Sequence, residues 1–223
     1  MIFVLVLLAI AFFMLDRYNL LPSRSYSLED FGIGELSSPV DYDQDGTDDY
    51  HDLLLGAKKD AANKPDYVSK YYKGGYPPEN EGVCTDTVWR AFREAGYDLR
   101  IMVDNDIQAH PDDYPDSDVR DKNIDFRRVS NLMIFLDRHA QPLTTDISKT
   151  AQWQPGDIVV FNAGQHIGIV SDRRNKKGQP YIIHNAGQPV RDENYLKRGI
   201  VYRHYRWDAS RLSAEVAVPF VSQ

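Results

Sequence analysis

Cys84 is the only cysteine among 223 residues, and it lies at the front of the run GVCTDTVWRAFREAG. Two histidines follow on separate apolar segments, His166 in HIGIVSD and His184 in YIIHNAG. A thiol, an imidazole to take its proton and a polar group to orient that imidazole are the parts of nucleophilic catalysis at an acyl carbon. With Cys84 at the start of a helix, unpaired N–H groups and the helix dipole favour the thiolate. The same N–H groups can receive the oxyanion of a tetrahedral intermediate. The plainer reading is a buried structural cysteine, since a lone thiol commonly packs as a small hydrophobe. A lone strand histidine is likewise usually a core residue. Two on one face, beside a helix-start cysteine, shift the balance to chemistry.

A second constellation lies upstream. Residues 41–52 read DYDQDGTDDYHD, with Asp41, Asp43, Asp45, Asp49 and Asp52 at positions one, three, five, nine and twelve and Gly46 at six. That is the oxygen-ligand spacing of a calcium loop, in which Thr47 offers its backbone carbonyl. So many carboxylates in one turn repel each other unless a cation neutralises them. A structural calcium ion is the expectation, and a solvated acidic turn capping the next helix is the alternative. The net charge of −7 argues against a nucleic-acid partner.

These groups need elements to hold them. Val88, Trp89, Ala91, Phe92 and Ala95 recur at helical spacing from Val83 to Gly96, which stops the helix. Thr85 or Asp86 can cap its start. Residues 154–162, 166–171 and 181–185 read as strands, and pairing Ser171 with Tyr181 sets Gly168 opposite His184. His166 then lies one diagonal step away on the same face, whereas a one-residue slip would separate the histidines. Helices are expected at Leu53–Asn63 and in the apolar run from Val129 to Leu136. The stretch 104–122 is too polar for a core element and reads as a surface loop. Arg127 can hold a substrate carboxylate bidentately or form a structural pair with an aspartate. Residues 1–21 begin with fifteen uncharged residues, about 22 Å as a helix, short of the ~30 Å hydrocarbon core. They read as a signal or membrane-anchor segment that places the rest in the cell envelope, outside the cytoplasm. A tether (22–40), the acidic loop (41–52) and one hydrolase domain (53–223) follow.

Cysteine at a helix start, then PGDIVVF, then HIGI, then IH, in that order, resembles the NlpC-type cell-wall cysteine peptidases. The Tyr71-Tyr72-Lys73-Gly74-Gly75 run resembles that family's Tyr-x-x-Gly-Gly lead-in. Within that superfamily the chain is similar to a bacterial domain of unknown function bearing GVCTD, NID-x-RRV, PGDIV, HIGIVSD and IHN. The resemblance implies an α+β, papain-like fold of a helix against an antiparallel sheet. It implies Cys84 as nucleophile, His166 as base and His184 as its orienting group; Tyr71 and Arg127 are the candidate substrate-binding residues. It implies, too, a cysteine peptidase or amidase acting on peptidoglycan stem peptides. The chain departs from the better-known members in having Val83-Cys84-Thr85-Asp86 where they have Asp-Cys-Ser-Gly. The rival is a non-catalytic, calcium-binding envelope module that keeps the hydrolase fold.

Overall fold

The computed structural model describes residues 2–115 and 119–221. The first long apolar run forms α1 (Ile2–Arg17). The acidic loop leads into α2 (Asp49–Asn63), capped by the Asp48 carboxylate accepting from Tyr50 N–H. The expected helix therefore starts a turn earlier, inside the acidic loop. Two short strands, β1 (Asp66–Tyr67) and β2 (Glu81–Gly82), pair in parallel ahead of α3 (Cys84–Glu94). α4 (Leu99–Ala109) and α5 (Val129–His139) complete the helices. The strands β3 (Gln141–Pro142), β4 (Ile158–Phe161), β5 (His166–Arg174), β6 (Pro180–Ile183), β7 (Asp192–Glu193) and β8 (Val201–Arg206) form one antiparallel sheet in the order β3-β8-β4-β5-β6-β7. The chain is thus α+β. No described helix is long and apolar enough to cross a membrane.

The central strands are buried on both faces, and successive side chains alternate between two cores. Ile158, Val160, Ile167, Ile169 and Ile183 pack with Leu53, Val88 and Phe92 under α2 and α3. Val159, Phe161, Val170 and Ile182 pack with Trp153 and Tyr195 on the other side. The β5–β6 register pairs Ile169 with Ile183 and Val170 with Ile182, as the pattern predicts, then shifts beyond Val170.

The stretch 104–122 departs from expectation. Its first part belongs to α4, whose Leu99, Met102, Val103 and Ile107 are buried. Asp104 and Asp106 are buried as well, because Arg120 pairs with the former and Arg138 and His139 with the latter. Charges that looked solvated are neutralised by partners distant in sequence. Residues 116–118 of that stretch lie outside the described residues.

Candidate active site

Cys84 is the first residue of α3, and its thiol is buried at 6 % exposure. The backbone N–H groups of Ile167, Thr85 and Cys84 itself act to lower the thiol. They favour the thiolate, yet burial outweighs them and pushes the thiol up to about 11. The depressed thiol pKa expected of a helix start is therefore not realised: desolvation of a charged sulfur exceeds what the helix end returns.

The helix start is held by Asp86. Val83 has no side-chain acceptor to cap with, so Asp86 reaches back and accepts from the Val83 N–H at 2.7 Å. The same carboxylate accepts from Trp89 Nε1 at 2.8 Å and from Arg127 at 2.7 and 2.9 Å. Arg127 also donates to the Lys70 carbonyl and lies over the Tyr72 ring, with its side chain 2 % exposed. It is the structural pair, not a substrate clamp, since its fork is spent inside the protein. Thr85 Oγ1 caps nothing and donates to the Arg127 carbonyl.

His166 and His184 meet as the register demands. His166 Nε2 lies 2.8 Å from His184 Nδ1, and His184 Nε2 lies 3.0 Å from Glu193 Oε1. A carboxylate can only accept, so His184 carries its proton on Nε2 and its Nδ1 accepts from His166 Nε2–H. His166 is left with an unprotonated Nδ1, the form a general base needs. Burial, helped by His184 and Arg198, lowers His166 to about 3, and burial lowers His184 too. Burial raises Glu193, but hydrogen bonds from His184 and Arg198 overcome it and hold its carboxyl low. Arg198 pairs with both Glu193 oxygens, and Asn19 Nδ2 donates to Oε2 at 2.6 Å.

Sequence reasoning missed Glu193, which sits on a two-residue strand with no periodicity to reveal it. It also missed Tyr195, whose ring lies 4.3 Å from that of His184 and 5.5 Å from that of His166. Alternation sends Ile167 toward α3 and His166 toward Phe161 and Tyr195. No hydrogen bond joins the sulfur to the His166 ring among the described residues. The Cys84 charge reaches both Tyr195 and Tyr67. Tyr67, on β1, is half-exposed. Tyr71 is exposed and ties Asp121 to Asn123 through its hydroxyl.

Of the acidic-loop residues, Asp41, Asp43 and Asp45 converge within 4.8 Å. Thr47 donates its N–H to Asp45 Oδ1. Asp49 does not join them. It is buried and accepts from Tyr42 N–H at 2.9 Å and Tyr97 Oη at 2.6 Å, so it serves the core and not a cation. A cleft of about 420 Å³ lined by Met102, Asp106, His110 and His139 lies away from the thiol. Of its lining residues, Asp106 is spent on His139, Arg138 and Tyr114.

A family model described as "Domain of unknown function (DUF1287)" matches residues 54–207. The chain is 38% identical over 149 residues to "Uncharacterized protein YijF" of Escherichia coli (strain K12), covering 64% of this chain and 72% of that protein. No solved structure matches. These matches correct the expectation of an NlpC-type peptidase: the family found is DUF1287, and the short motifs that carried the resemblance do not make the chain a member of the NlpC type.

Proposed function

We propose that this chain, which belongs to the DUF1287 family, is a cysteine hydrolase that cleaves amide bonds. The observation that carries the reading is the hydrogen-bonded series Glu193–His184–His166, ending in an unprotonated imidazole nitrogen, in a fold whose one thiol starts α3 where backbone N–H groups favour its anion. The series fixes a tautomer, and a fixed tautomer matters when a proton is to be moved.

In this reading a substrate carbonyl binds and the thiol turns to His166 Nδ1, which takes its proton as the C–S bond forms. The Cys84 and Thr85 N–H groups receive the oxyanion. His166 then gives its proton to the leaving amine, and water activated by the same nitrogen releases the acyl group and restores the thiol. Thiol–base contacts that are long in the free enzyme commonly tighten on binding. Peptidoglycan stem peptides are the proposed substrate. Exposed Phe3, Leu8, Phe12 and Phe13 on α1 support a targeting segment that delivers the domain to the envelope.

One observation favours a second reading, a non-catalytic envelope module: the resting thiol is raised and not bonded to His166. Mass spectrometry of purified peptidoglycan incubated with the full chain separates the two. New stem-peptide fragments, lost in Cys84→Ala and His166→Ala and diminished less in His184→Gln, support the hydrolase. If an activated acyl ester also leaves no adduct on Cys84, the module reading stands in its place.

A further inference from the structure

The thiol chemistry leaves the acidic loop unexplained. Asp41, Asp43 and Asp45 each place a carboxylate oxygen within 4.8 Å of the others. Gly46 takes φ 100°, which favours glycine, and its N–H donates to Asp41 Oδ2 at 2.9 Å. An exposed acidic cluster alone is common and binds nothing in particular. A second observation comes from the helix that follows. Asp52, in the first turn of α2, is 1 % exposed, and neither of its carboxylate oxygens has a hydrogen-bond partner. It stands outside the three carboxylates that converge, at the twelfth position of the loop, and after burial the charges of Asp45 and Asp43 act on it most strongly. A buried carboxylate with no donor and like charges beside it is costly unless a cation completes the set.

We propose that Asp41, Asp43, Asp45 and Asp52, with the Thr47 carbonyl, hold a calcium ion that pins the acidic loop to α2. The four carboxylates and a carbonyl are hard oxygen donors on an irregular loop, which suits calcium better than the near-octahedral, water-retaining magnesium ion. Asp49, at loop position nine, takes no part, because Tyr42 and Tyr97 already hold it.

The ion also reaches the nucleophile helix. A Cβ on Gly96 would lie 2.6 Å from the Asp43 Cβ, so Asp43 rests directly on the backbone that ends α3. The eleven residues of α3 put Cys84 about 16 Å away at its other end. The site therefore acts on structure, and it stands independently of the thiol reading.

Calorimetric titration of the chelator-treated full chain with calcium chloride tests this. Saturable binding at millimolar calcium or below, a melting temperature that rises with calcium, and magnesium at least about tenfold weaker are expected. Asp52→Asn keeps the shape and removes the charge. Without calcium it melts at or above wild type, and its calcium affinity falls at least about tenfold, a loss of ~1.4 kcal/mol. Asp112→Asn, an exposed acid elsewhere, leaves affinity and melting unchanged. No binding at about 10 mM calcium, beyond the range of known protein sites, overturns the proposal, as does wild-type affinity in Asp52→Asn.

Discussion

Gly168 and His184 face each other across the β5–β6 pair, and a methyl group on Gly168 would lie 3.1 Å from the His184 Cβ. It would also lie 2.8 Å from Ile182 Cγ2 and from the Ile183 carbonyl. Backbone cannot give way as a flexible side chain would, so Gly168→Ala pushes β6 off β5 and carries His184 away from His166. Overpacking of this kind costs about 1–3 kcal/mol. An ångström of misplacement at the base can cost about 100-fold in rate. Urea denaturation and turnover both measure it, and wild-type values in each would mean that β6 shifts freely.

The thiol and the base titrate at opposite extremes, which predicts two pH effects. His166 is lowered to about 3 in the fold, mainly by burial. Between its ordinary value near 6.5 and about 3, the unfolded chain holds a proton that the native ring refuses. Its contribution to stability is therefore complete above about pH 6.5 and lost as pH falls through that window, by up to a few kcal/mol. His166→Gln should lose less stability than wild type between about pH 7 and 4. Cys84, raised to about 11 by burial, should react slowly with iodoacetamide at neutral pH and faster as alkali is added. A rate already at its plateau by about pH 7 would mean that a thiolate–imidazolium pair forms at rest, against this reading.

Much of this site was readable because its signals are local. The apolar stripe of α3 fixes its extent, and the Ile-Gly-Ile alternation in β5 fixes which residues share a face with His184. What escaped is set by distant partners. Asp49 has the loop spacing of a cation ligand, but Tyr97, 48 residues on, claims it for the core. Asp86 reads as a simple cap, and only the fold brings Arg127 from 41 residues away to close on it. The raised thiol escaped for a related reason. Helix position is legible in sequence, whereas the burial that overrides it is a property of the packed sheet.

Glu193 is the residue whose role is most exposed to test. It accepts from His184 Nε2 and pairs with Arg198, whose side chain is 12 % exposed. Glu193→Gln keeps a carbonyl oxygen for His184 but leaves the Arg198 charge unanswered beside two histidines. Arg198 already lowers His166 while Glu193 raises it, so the imidazolium formed during turnover becomes costlier. A fall in kcat of about 10- to 100-fold, roughly 1.4–2.7 kcal/mol of barrier, is expected with little change in KM. Removing both charges tests the cause. Replacing a buried pair by neutral groups is often tolerated where removing one partner is not. The Glu193→Gln/Arg198→Met double variant should therefore recover part of the rate and the stability, and a double-mutant cycle gives the coupling. Full activity in Glu193→Gln would reduce Glu193 to a packing group and leave His184 alone in orienting the base.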